Sequence, residues 1–159
     1  VFIAITLGIR ITRLTFGIDA LLPWDFLFSF LSVCGMVIVV LWQVYREGPV
    51  TGHRVRGAVA AYLLIALIFG YGYALIAHLA PGSFQLPAWV SEQASERSEA
   101  FFYFSVVTLT TLGYGDISAI HPIARSLAMV EALIGQLYPA ILIARLVTLE
   151  IETRRSGKG

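Results

Sequence analysis

The chain has 159 residues, 58% of them hydrophobic and only 13% charged, with a formal net charge of +1 and a mean hydropathy of +0.81. That balance lies outside the range of soluble domains and reads as an integral membrane protein. No basic patch with interleaved aromatics is present, so nucleic acid is not an expected partner; the lipid bilayer is.

The opening run, Val1 to Ile18, is apolar and broken by Arg10 and Arg13. It reads as a short crossing. Because it begins without Met inside an apolar stretch, and without the charged n-region and cleavage site of a signal peptide, residues upstream are expected. Arg10 and Arg13 stand three apart, as in a voltage-sensing helix, or else snorkel as anchors at a helix end. Phe26 to Tyr45 carries no charge over 20 residues, enough to cross a hydrocarbon core of roughly 30 Å. Cys34, alone inside it, reads as packing.

Arg46, His53, Arg54 and Arg56 cluster after this crossing, and Arg154, Arg155 and Lys158 follow the last apolar run. Cytoplasmic loops carry an excess of positive charge, which places both clusters inside the cell. Gly57 to Ala80 is the next crossing, and its Gly70-Tyr71-Gly72-Tyr73 stretch reads as small residues at a helix contact. Glu92, Glu96 and Glu99 then outnumber Arg97, so the opposite face is mildly acidic and concentrates cations.

Glu99 to Thr110 is apolar but only about 12 residues long, roughly 18 Å as a helix. It is too short to span. Ser98 is placed to cap its start and Glu99 to meet the positive end of its dipole. A re-entrant helix that enters the membrane, hands over to extended chain and leaves again fits the spacing. Non-helical backbone at membrane depth is tolerated only where protein buries it or it lines a watery cavity.

The extended chain is Thr110-Thr111-Leu112-Gly113-Tyr114-Gly115-Asp116. A dehydrated hard cation needs several oxygens, and Thr111 offers a hydroxyl while Thr111, Leu112, Gly113 and Tyr114 offer carbonyls. For carbonyls to point the same way the backbone must alternate between ordinary and left-handed conformations. Glycine takes positive φ without steric cost, and Gly113 and Gly115 stand at alternate positions. Ile123 to Leu149 is the last crossing, interrupted by Arg125, Glu131 and Arg145. Gln136, Ile143 and Val147, seven and four residues apart, fall on one of its faces.

The order crossing, short re-entrant helix, Thr-Thr-Leu-Gly-Tyr-Gly-Asp, crossing resembles the pore module of potassium channels, over roughly Arg56 to Glu150. Leucine stands where valine is commoner. Phe-Ser-Val-Val-Thr-Leu-Thr before the filter, and Ala-Arg-Ser-Leu-Ala and Leu-Ile-Gly-Gln-Leu-Tyr after it, resemble bacterial two-crossing pores with extra N-terminal helices. The resemblance implies an all-α membrane protein in which residues 1–50 form about two peripheral transmembrane helices and 51–159 the pore domain. Within that domain it implies an outer helix over about 57–80, a pore helix over about 99–110, a filter over 111–115 and an inner helix over about 123–149. K+ would be held at Thr111, Leu112, Gly113 and Tyr114, with Gly115 completing the filter and Thr110, Asp116, Tyr103 and Val107 supporting it. Asp116 is expected either to tie the filter's outer end to Tyr103 or to stand solvated at the mouth. Val107 takes the place of a glutamate that some relatives carry. Gly135 aligns with the family's gating hinge and Pro139 lies a turn beyond; each could instead mark a fixed bend. Glu131 is expected behind the filter or in the cavity, and Arg125 as an anchor among headgroups or acidic neighbours.

One filter copy in 159 residues cannot surround an ion, so a cyclic homotetramer is expected. The function implied is passive, potassium-selective conduction across the cell membrane, a bacterial inner membrane by resemblance, with K+ ions the only species bound. Neither enzymatic activity nor a small-molecule substrate is expected. A nonselective cation channel and a subunit of a potassium uptake transporter are the alternatives; an intramembrane enzyme using Asp116 or Glu131 lacks a nucleophile-base pair.

Overall fold

The computed structural model describes residues 7, 8, 11, 12, 15, 22–45, 52–91 and 93–156. Arg10, Arg13, Arg46, Glu92 and Lys158, to which roles in sensing or topology were attached above, lie outside the described residues, as does most of the expected crossing from Val1 to Ile18.

Helix α1 runs Leu22–Tyr45 and α2 runs Gly52–Leu79. A two-residue strand β1, Phe84–Gln85, precedes α3, Ala94–Leu109. Strand β2, Ser118–Ala119, leads into α4, Pro122–Ser156. The protein is thus mostly helical. Among the described residues, three segments are long and apolar enough to cross a membrane, Pro23–Trp42, Val55–Leu79 and Pro122–Thr148. His53, Arg54 and Arg56, expected in a loop, belong to the first turns of α2. Helix α4 continues through Pro139 without a break in assignment.

The short helix α3 departs from expectation at its start. It begins at Ala94 with Gln93 in the N-cap position and no side-chain cap, so Ser98 lies inside the helix. At 16 residues it measures about 24 Å, still less than a hydrocarbon core. Its polar first turn, with Glu96 facing the positive end of the dipole, extends it toward the acidic face.

α1 packs along α2, and α2 along both α3 and α4. Where α2 meets α3, Gly70 allows near-contact: a Cβ there would stand 3.2 Å from the Phe102 Cα, while one on Gly72 would meet only the Leu127 side chain at 3.5 Å. Small residues let the helix axes approach, which is how helices associate in lipid. Above this crossing lies an aromatic cluster. Phe84 packs edge-on against Phe101, Phe104 and Tyr73, with ring centroids 4.9, 5.7 and 5.6 Å away. Such tilted pairs each add about 0.5–1.5 kcal/mol beyond area burial.

β1 and β2 pair antiparallel, Phe84 opposite Ala119 and Gln85 opposite Ser118. Ile120 and His121 N–H both donate to the Ser83 carbonyl, at 2.8 and 3.1 Å. Arg125, expected near headgroups or acidic partners, donates from Nε to the Ala119 carbonyl at 3.0 Å. The chain leaving the Thr110–Asp116 run is therefore fastened to the loop that follows α2.

Candidate functional site

The run Thr110 to Asp116 leaves the C-terminal end of α3 through a turn at Thr110 and Thr111 and continues as non-helical chain, exposed along its whole length. Thr110 caps that end. Its N–H donates to the Val106 carbonyl at 3.0 Å, and its hydroxyl to the same carbonyl at 2.7 Å. Thr111, Gly113 and Gly115 then take φ of 56°, 58° and 78°. Positive φ at alternate residues is the condition for successive carbonyls to point one way. At Thr111 a β-branched residue adopts it, an uncommon and costly choice.

The amides of the run turn the other way, into the protein. Thr111 N–H donates to Thr108 O at 2.9 Å, and Leu112 and Gly113 N–H both donate to Val107 O, at 2.9 and 3.3 Å. Val107 is buried. It supports the run through its carbonyl, so valine serves where a side-chain acid is lacking. With three successive amides committed to α3, residues 111–113 are tied to its end through their N–H groups. The α3 dipole adds partial negative charge at the same point.

At the outer end, Tyr103 Oη donates to Asp116 Oδ2 at 2.9 Å, and Ile117 N–H donates to Oδ1 at 3.0 Å. Trp89 stands edge-on to Tyr103, centroids 6.1 Å apart. Desolvation first, then the hydrogen bond and the negative charge of Asp116, raise the Tyr103 phenol above its ordinary value, so it stays a donor. Tyr103→Phe removes the clamp. Current carried by the variant is expected to decline faster during sustained conduction, whereas an unchanged time course would leave Asp116 without this role.

Glu131 is fully buried and faces neither lipid nor cavity. Tyr73 Oη of α2 donates to Oε2 at 2.5 Å, and Ser105 of α3 is hydrogen-bonded to Oε1. The Ser105 hydroxyl also stands 2.7 Å from the Ala66 carbonyl of α2. One acidic side chain from α4 thereby joins the outer helix to the rear of the short helix. Sequence reasoning singled out Glu131 but missed Ser105 and Tyr73. Their signal was available: a buried carboxyl requires donors, and Ser105 is a hydroxyl within the apolar part of α3.

Gly135, the residue aligned with the family's hinge, stands at a close contact between α4 and α3. It is buried, and a Cβ there would stand 1.8 Å from the Leu109 carbonyl oxygen. This is a backbone-to-backbone seat for the end of α3, with no room for a side chain. The same carbonyl, one of the acceptors a helix C-terminus leaves open, receives Tyr62 Oη at 3.1 Å. One residue on, Gln136 Nε2 donates to Thr111 Oγ1 at 2.9 Å. Gln136, Ile143 and Val147 are all exposed along α4. Tyr138 donates to the Ala58 carbonyl at 2.8 Å, bracing α4 against α2 near Pro139.

A short helix that ends where an exposed, glycine-bearing run begins, held between two helices long and apolar enough to cross a membrane, is the arrangement of a pore-forming ion channel. The sequence model of a family described as ion channel matches residues 61–152, more than half of the chain. The chain belongs to this two-transmembrane ion-channel family, and it conducts ions passively. No curated protein and no solved structure matches it.

Proposed function

We propose that the chain is a potassium-selective channel that works as a cyclic homotetramer. The observation that carries this reading is the alternation of positive φ at Thr111, Gly113 and Gly115, with the amides of Leu112 and Gly113 drawn to Val107 O. Carbonyls stacked in this way replace a hydration shell. One chain lines one side of an ion path, and four around an axis would enclose it. The exposure of Leu112 (56%) and Tyr114 (66%), large side chains at the heart of the site, supports burial against neighbouring copies.

K+ enters by exchanging water for the Thr111 hydroxyl and the carbonyls of Thr111 to Tyr114, and moves by knock-on between adjacent sites. The protein supplies fixed dipoles and no chemical step. The Tyr103–Asp116 clamp and the β1–β2 pairing hold the outer end, and the Val107 and Thr108 carbonyls hold the inner.

Gly113→Ala tests the reading in liposomes loaded with K+ or Na+. No neighbour within a single chain opposes a Cβ at Gly113, so the penalty arises from its left-handed φ, about 1–2 kcal/mol per chain. Applied to four chains, that is worth more than tenfold in site occupancy. Wild type is expected to pass K+ and exclude Na+, and the variant to lose most of that ratio. Equal fluxes of both ions through the wild type would favour a nonselective pore.

A further inference from the structure

Gln136 sits where the inner helix meets the foot of the filter, and its place is fixed by its neighbour. Gly135 is seated against the Leu109 carbonyl with no space between, so α4 cannot slide along the end of α3. The amide of the next residue arrives beside Thr111 at 2.9 Å from Oγ1. Thr111 is itself held in the left-handed region at φ 56°. A hydroxyl has one proton and two acceptor sites. Accepting from Gln136 uses one of those sites and leaves the other for a cation. The Gln136 carbonyl oxygen, on the other arm of the same planar amide, accepts no hydrogen bond from a described residue.

We propose that Gln136 positions the innermost ion site: its N–H fixes the Thr111 hydroxyl, and its carbonyl oxygen meets the partly hydrated cation on the cavity side. This rests on the potassium-channel reading. Four such amides would form a polar collar where an ion exchanges its last waters, on a helix face otherwise made apolar by Ile143 and Val147.

The test uses Ba2+, a divalent cation close to K+ in size, applied from the cavity side to full-length channels in planar bilayers. Gln136→Met keeps length and removes the donor; Thr111→Val keeps the branched shape and removes the hydroxyl. Loss of one net hydrogen bond, about 1 kcal/mol, corresponds to about a fivefold change. Gln136→Met is expected to weaken Ba2+ block about threefold or more in the wild-type background and by clearly less in Thr111→Val, where only the contact of the amide carbonyl with the ion remains to be lost. A change below about threefold, or an equal change in both backgrounds, overturns the proposal. Thermal unfolding of the exposed-site variant Gln136→Met is expected to match wild type, which separates positioning from loss of fold. If the wild type shows no preference for K+ over Na+ in the same bilayers, the potassium reading itself fails, whatever the block.

Discussion

Gly135→Ala is expected to yield no stable channel. The added Cβ would stand 1.8 Å from the Leu109 carbonyl oxygen, about half of a normal contact distance. The atom opposing it is backbone at the end of a helix, which cannot rotate away as a side chain tip would. Relief requires α4 to separate from α3, and that movement carries Gln136 off Thr111 and strains the Tyr62 hydrogen bond to Leu109. Overpacking commonly costs about 1–3 kcal/mol and more where backbone must move; in an assembly the penalty recurs in every chain. Gly72→Ala is the matched control, since its Cβ would meet only the Leu127 side chain at 3.5 Å. Size-exclusion chromatography in detergent checks both. The control is expected to elute as wild type, and Gly135→Ala to be aggregated or absent. An intact Gly135→Ala assembly with altered open probability alone would contradict this expectation and favour the hinge reading of this glycine.

Glu131→Leu is expected to produce the second largest loss. The replacement is close in size but leaves the Tyr73 hydroxyl, fully buried beside it, without its acceptor. Ser105 retains the Ala66 carbonyl at 2.7 Å, so Tyr73 bears most of the effect. A buried donor left unpaired costs about 1–3 kcal/mol, which should appear as a lower thermal midpoint. Glu131→Gln keeps a carbonyl for Tyr73 and an N–H for Ser105 and is expected to remain near wild type. Adding Tyr73→Phe to Glu131→Leu removes the orphaned hydroxyl and should recover part of the loss. No recovery would mean that Glu131 does not act through Tyr73.

Much of this arrangement was readable from residues alone, for identifiable reasons. The Thr110–Asp116 run was legible because extended backbone presenting carbonyls in one direction needs tolerance of positive φ at alternate positions, and glycines mark it. The three crossings found among the described residues followed from hydropathy and length. The start of α3 was set too late because Ala94 to Ser98 is polar and reads as loop, yet a helix end standing at the membrane face needs no apolar turn. Gly135 shows the limit of a single-residue signal. Glycine inside a helix can mark flexibility or close approach, and the close approach shows only once the neighbouring backbone is in place. The partners of Glu131 lie 58 and 26 residues away in sequence, and Thr111 lies 25 from Gln136. Spacing along the chain carries no information about pairs set by how α4 crosses α3. The register of that crossing is fixed at Leu109 and Gly135, a contact made by backbone atoms that every sequence shares.

The most direct measurement is the reversal potential of the purified channel in a planar bilayer with K+ on one side and Na+ on the other. A value near the potassium equilibrium potential is the predicted result, and it would establish the selectivity assigned to Thr111 through Tyr114. A value near zero would contradict it and leave a cation pore that does not distinguish the two ions.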